Sequence, residues 1–299
     1  MREYFQPDSL ASLLECLGRA PENSRILAGG TDLMVRLRED PAEESPIISL
    51  CDVPELRAIR RNGDVLVLGA MVTHAAACED DRIKQWFYAL HMACSQVGSQ
   101  QIRNKGTLGG NLCSASPAGD ILPCVFLYGT SMEILRADGK RKLVPAEEFL
   151  IGRGKTALEP GEILAALRLP IREGRKSAFV KIGLRREVSI AQLSLAMSWK
   201  EDTAENGDLL LRDPEAFLGA ADVRPVRLNE VKEVLEGKPF SEENAALLAA
   251  GLRERIRGIR ENRKTPPRLK ITEAERMYKE RASAAAVYDM MEIVRGLRD

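Results

Sequence analysis

The sequence predicts an α+β protein of about two domains. Three observations carry that prediction. In the first half, short apolar runs alternate with glycine-marked turns and amphipathic stretches. Asn62-Gly63 and Asp138-Gly139 each stand between apolar runs, the commonest short signal for a β-hairpin. From residue 177 onward, three long strand-like runs follow one another before helical patterns take over to the end.

Taken in order, Asp8 precedes Leu10, Leu13, Leu14 and Leu17 at helical spacing, which predicts a capped amphipathic helix ending at the Gly18/Pro21 break. Arg25 to Ala28 reads as a strand, Gly29 to Asp32 as a turn, and Leu33 to Arg38 as a helix. Ile47 to Leu50 reads as another strand. The first hairpin joins 56–59 to 65–68, Thr73 caps a short helix, and Arg82 to Gln96 reads as a longer one. A second glycine turn lies at Thr107-Leu108-Gly109-Gly110-Asn111, and residues 131–144 form the second hairpin. Pro, Gly and cationic residues between Pro170 and Arg175 mark a boundary. Beyond it, 177–186, 189–200 and 208–220 predict a three-stranded antiparallel meander, followed by helices with Val287, Met290, Met291 and Val294 on one stripe.

Composition narrows the function. The 299 residues are 44% hydrophobic and 29% charged, which excludes disorder, collagen and coiled coil. Lys+Arg and Asp+Glu number 44 each, so the net charge of zero argues against a general nucleic-acid binder. No apolar run reaches the roughly 20 residues that span a bilayer, and no charged leader followed by an apolar core stands near Met1, so a cytoplasmic protein is expected. The six cysteines form no C-x-x-C pair or zinc-type cluster and read as reduced, mostly buried thiols. No metal site is expected.

A Gly-Gly pair lets successive backbone N–H groups line one side of a turn, and a helix starting directly afterwards adds the positive end of its dipole. Such turns suit a phosphate, although most merely reverse the chain. Neither turn carries the Rossmann G-x-G-x-x-G. Gly154-Lys155-Thr156 resembles a P-loop superficially, but Phe149 stands where its first glycine is required. His74 and His91 sit in no nucleophilic arrangement, and each reads as structural. A bound cofactor would have to supply the reactivity.

Ile26-Leu27-Ala28-Gly29-Gly30-Thr31-Asp32-Leu33, then Gln101 to Asn104 leading into Thr107 to Asn111 and Ala115-Ser116-Pro117, resemble the FAD-binding (medium) subunit of xanthine dehydrogenase and carbon monoxide dehydrogenase type molybdenum hydroxylases. The resemblance continues through Gly154 to Leu158, Pro160 to Leu164, Ala178 to Lys181 with Arg185-Arg186, and Pro225-Val226-Arg227 before Leu235-Glu236-Gly237. It implies a vanillyl-alcohol-oxidase-type (PCMH-type) FAD-binding fold over residues 1–172, with two α/β subdomains of about 1–55 and 56–172. A C-terminal domain over 173–299, a three-stranded antiparallel sheet with helices, would follow.

By the same resemblance, Ile26 to Leu33 wrap the FAD pyrophosphate, and Thr107, Leu108, Gly109, Gly110 and Asn111 form the second pyrophosphate turn. Asp120 matches an acidic position that contacts the ADP part. Val97 occupies a place where relatives carry an aromatic ring. Leu164 and Lys181 match positions beside FAD, with Lys181 close to the flavin ring or to an incoming nicotinamide nucleotide, where its charge would favour the reduced flavin. Taken alone, Asp120 reads as a loop anchor, Leu164 as ordinary core and Lys181 as a surface lysine. The absence of histidine from the first turn predicts noncovalent FAD. The implied role is one module of a complex: electrons would come from an iron–sulfur subunit beside a molybdopterin-binding subunit and leave to NAD or another acceptor, in a dimer of heterotrimers with no membrane span. The competing readings are a cofactor-free assembly module and a free-standing flavin oxidase. The Arg/Lys-rich stretch 253–270 reads as solvated, or as a dock for an acidic partner.

Overall fold

The computed structural model describes residues 3–40, 42–185, 187–262 and 272–296. The first elements are β1 (Tyr4–Phe5), α1 (Leu10–Arg19), β2 (Arg25–Leu27), α2 (Leu33–Glu39) and β3 (Ile47–Ser49). A 3-10 turn at Pro54–Arg57 precedes β4 (Ile59–Asn62) and β5 (Val65–Gly69). Five short helices come next: α3 (His74–Glu79), α4 (Asp81–Trp86), α5 (Tyr88–Ser95), α6 (Gln100–Lys105) and α7 (Leu108–Ser114). Then come α8 (Leu122–Leu127), β6 (Ser131–Arg136), β7 (Arg141–Pro145), α9 (Ala146–Phe149), β8 (Leu150–Gly152) and β9 (Lys155–Thr156). The remainder comprises β10 (Glu162–Pro170), β11 (Arg175–Gly183), β12 (Ala191–Thr203), β13 (Leu209–Gly219), β14 (Val226–Arg227), α10 (Asn229–Leu235), α11 (Glu242–Glu261) and α12 (Glu273–Val294).

These elements fall into two compact units that are not contiguous in sequence. One contains Met1–Asp80, Val97–Ser116 and Tyr128–Arg172; the other contains Asp81–Gln96, Pro117–Leu127 and Glu173–Asp299.

In the first unit, β1 and β2 each pair with β3 in parallel, and α1 lays Leu13 and Leu17 into a core with Ile48, Leu50, Val53, Leu56 and Met71. The cap of α1 is Ser9 rather than Asp8: Ser9 and Ser12 exchange backbone and hydroxyl hydrogen bonds, and Asp8 instead accepts from the Ser12 hydroxyl. A second sheet runs β4-β5-β10-β6-β7, all antiparallel, with Leu66, Leu68, Met132, Ile134 and Leu167 buried. The first hairpin turns on Gly63-Asp64, one residue later than expected, because Asn62 pairs with Val65 and Gly63 takes φ 58. The expected strand before it begins only at Ile59, since Pro54 starts a 3-10 turn.

In the second unit, the expected three-stranded sheet has a fourth strand. β11, β12 and β13 form the long antiparallel meander, and β14 adds two residues beside β13, where the Arg227 guanidinium lies 4.8 Å from the Phe217 ring centre. Helices α10 and α12 pack on this sheet and α11 packs on both of them, in one core with Val231, Leu248, Leu252, Val287, Met290, Met291 and Val294. The expected helix from Arg82 to Gln96 is broken at Phe87, whose backbone leaves helical geometry (φ −134, ψ 50) as its ring is buried. The α5 segment docks on β11: the Ala89 N–H donates to the Ser177 hydroxyl at 3.1 Å, and the Phe179 N–H approaches the Met92 sulfur at 3.4 Å. Among the described residues, no helix is long and apolar enough to cross a membrane. Residues 263–270 of the basic stretch 253–270, including Pro266-Pro267, lie outside the described residues.

Candidate functional site

The first glycine turn leaves β2 at Leu27 and enters α2 at Leu33. Gly29 is fixed by close approach: a Cβ there would lie 1.8 Å from the Lys105 carbonyl oxygen. Gly30 is fixed by conformation, with φ 73. Among the described residues, the N–H groups of Gly29, Gly30, Thr31 and Asp32 donate to no protein acceptor. Asp32 makes no side-chain cap on α2; its carboxylate accepts from the Ser114 hydroxyl at 2.9 Å and pairs with Arg36 at 2.9 Å. Its charge is thereby held to one side of the turn.

The second turn is built differently. Thr107 caps α7 by accepting from the Gly110 N–H at 3.0 Å. The N–H groups of Leu108 and Gly109 donate to Val72 and Ala70, and that of Asn111 to the Thr107 carbonyl. The expectation of two matching amide hollows is therefore corrected: the amides from 108 to 111 are consumed within the protein, while those of the first turn are open. Gly109 is a packing glycine, since a Cβ would come within 2.6 Å of the Ala70 Cβ. A Cβ on Gly110 would stand 3.7 Å from that of Ala28, so the two turns adjoin, as the Ser114–Asp32 bond also shows. The Asn111 side-chain oxygen is buried without a partner. Ile26 and Ala28 pack against the first unit's core, Leu164 is buried in β10, and half-buried Val97 accepts from Arg103 at 3.3 Å through its carbonyl.

Two predicted residues lie in the second unit. Lys181, in β11, donates to the Asp120 carboxylate at 2.7 Å and to the Gln96 carbonyl at 3.0 Å, and the side chains of Lys181 and Asp120 are each only 8% exposed. This is neither a surface lysine nor an isolated loop anchor. Burial pushes the Asp120 carboxyl up to about 6, against the opposing pull of Lys181. The other Asp120 oxygen is buried without a partner. Two of the three ammonium donors are used, which leaves Lys181 one more to offer.

His74, read from sequence as structural, is 1% exposed and adjoins the first turn. Burial, then the charge of Arg103, lowers its pKa to about 4, and its Nδ1 has no partner. Nothing in the local sequence marks it, because the strand-like bridge between Thr73 and Thr107 is what carries it there. His91 stacks on Tyr88, ring centres 5.5 Å apart. All six cysteines are free, but only Cys94 and Cys124 are fully buried residues, fewer than expected; burial pushes the Cys113 thiol up to about 12. Among the described residues, no group of three or more His, Cys, Asp or Glu could hold a metal.

The first unit fits a dinucleotide diphosphate on its own geometry. Four open amides in succession match an oxyanion's need for donors, two glycines keep Cβ atoms out of the turn, and an unsatisfied Asn111 oxygen awaits a hydroxyl or amine donor.

Comparison with known proteins identifies the family. Residues 1–172 match the family model described as the FAD binding domain in molybdopterin dehydrogenase. The chain is 30% identical over 241 residues to the xanthine dehydrogenase FAD-binding subunit of Escherichia coli O157:H7, covering 80% of each. It is 28% identical over 255 residues to caffeine dehydrogenase subunit beta of Pseudomonas sp. (strain CBB1), covering 84% of each. Among solved structures, quinoline 2-oxidoreductase from Pseudomonas putida 86 superposes with a TM-score of 0.84 at 25% identity, over 97% of this chain and 95% of that one. Carbon monoxide dehydrogenase from Hydrogenophaga pseudoflava, at 23% identity and a TM-score of 0.79 over 96% of this chain and 94% of that one, shares the fold. Matched by the family model over more than half its length, the chain belongs to the FAD-binding family of the molybdopterin dehydrogenases.

Proposed function

We propose that this chain is the FAD-binding electron-transfer subunit of a cytoplasmic, multi-subunit molybdenum hydroxylase. Its companions are an iron–sulfur subunit and a molybdopterin-binding subunit, assembled as a dimer of heterotrimers, and its electrons leave to NAD or another acceptor. FAD is held noncovalently, since residues 26–33 include no histidine or cysteine to bond it. When bound, FAD supplies the exchange between single-electron and two-electron transfer.

The residues divide the remaining work. The open amides of Gly29 to Asp32 receive the diphosphate, and Thr107 to Asn111 brace that turn from behind. Leu164 and Val97 supply apolar surface, while Asp120 and Lys181 form a held pair whose third ammonium donor is directed by its two existing bonds. The observation that carries the reading is the run of unpaired amides from Gly29 to Asp32.

The test begins with the purified full chain and added FAD, followed by absorbance in the blue and flavin fluorescence. Uptake that acid precipitation releases into the supernatant supports the reading; a chain that takes up no FAD overturns it. Replacing Lys181 by Met is expected to slow reoxidation of the reduced flavoprotein by NAD far more than it weakens FAD binding. Equal reoxidation rates would remove Lys181 from that role. Co-purification with two metal-bearing chains tests the assembly.

A further inference from the structure

We infer that His74 is a further cofactor-contacting residue, a neutral hydrogen-bond donor to a phosphate oxygen seated on the Gly29–Asp32 turn. The inference rests on the flavin reading above.

Its basis is where the chain places the imidazole. The His74 N–H donates to the Gly106 carbonyl at 3.0 Å, which ties the start of α3 to the loop before the second glycine turn. The missing side chain of Gly106 leaves a point approached by two groups, His74 Cδ2 at 3.3 Å and Thr31 Oγ1 at 3.4 Å. Cδ2, the ring carbon bonded to Nε2, and the Thr31 hydroxyl of the first turn therefore border the same small space beside Gly106. The opposite nitrogen, Nδ1, is buried and has no partner among the described residues.

A buried imidazole with one sealed, unpartnered nitrogen leaves less polarity unsatisfied when that nitrogen carries only its lone pair. The proton then belongs on Nε2, next to the ring carbon that shares the space beside Gly106 with Thr31. Neutrality follows from burial and from the neighbouring Arg103, which together hold the pKa near 4. A structural histidine would be expected to spend its nitrogens on protein partners; this one is 1% exposed, and among the described residues its Nδ1 meets none.

Affinity for FAD, and for ADP as a probe of the diphosphate half, should be measured on the full chain with His74→Gln and His74→Leu. Glutamine restores an N–H near the Nε2 position, whereas leucine fills the space without a donor. Leucine is expected to weaken both ligands by about tenfold or more, and glutamine by no more than about threefold, as for a hydrogen bond to a charged oxygen. A residue that only packs would give the reverse order, because a buried apolar side chain then outperforms an amide. That reverse order, or an unchanged affinity in the leucine variant, overturns the inference. The wild-type chain provides an independent reading: with 15N-labelled histidine, the Nε2–H resonance of His74 should move on addition of FAD, and an unmoved resonance in a protein that binds FAD overturns the inference while leaving the flavin reading intact. No FAD uptake by the wild type overturns both.

Discussion

At the scale of single residues, two buried titratable groups push stability in opposite directions as pH changes. The folded pKa of Asp120 is raised from 3.8 to about 6, so the native state holds its proton more tightly and stability declines as pH rises through that window. His74 is lowered from 6.5 to about 4, so the unfolded chain takes up the proton first; stability climbs as pH rises through its window and is complete above the unfolded value. The two slopes offset each other between about pH 4 and 6. Urea midpoints should separate them: Asp120→Asn should leave a curve that rises with pH, and His74→Leu a curve that falls, each by an amount on the order of 1–3 kcal/mol. Parallel curves in all three proteins would contradict both assignments.

At the scale of elements, the space beside a glycine decides whether it tolerates a methyl group. Gly29→Ala drives a Cβ into backbone at Lys105, and should cost about 2–3 kcal/mol and weaken FAD binding. Gly18→Ala, in the last turn of α1 with nothing within 4 Å of a Cβ, should instead gain about 0.5–1 kcal/mol by stiffening the unfolded chain. Thermal melts of the two variants check both signs. The strand–turn–helix unit and both hairpins were legible because glycine and apolar alternation are local signals. The break at Phe87 was not, since an apolar residue at helical spacing carries no breaker chemistry. Strand β14 is two residues long, too short for any pattern. The pairing of Lys181 with Asp120 spans 61 residues and depends on how α8 packs on the sheet that contains β11. That the second turn spends its own amides depends on the carbonyls of Ala70 and Val72, which no motif reveals.

At the scale of the whole molecule, the chain passes from one compact unit to the other five times, the last time between Arg172 and Glu173. A polypeptide ended at Arg172 would keep the family's matched segment yet lose the sheet on which α5 and α8 lie, exposing Phe87, Leu90, Leu122 and Phe126, all buried in the full chain. It should bind a dye specific for apolar surface and aggregate where the full chain does not, as dye fluorescence and sedimentation would show. The interleaving also bears on synthesis at the ribosome. The helices of 81–96 and 117–127 emerge before the strands that shelter them, so the nascent chain carries greasy, unsheltered helices until the segment beyond Arg172 is translated, surface of the kind that chaperones capture.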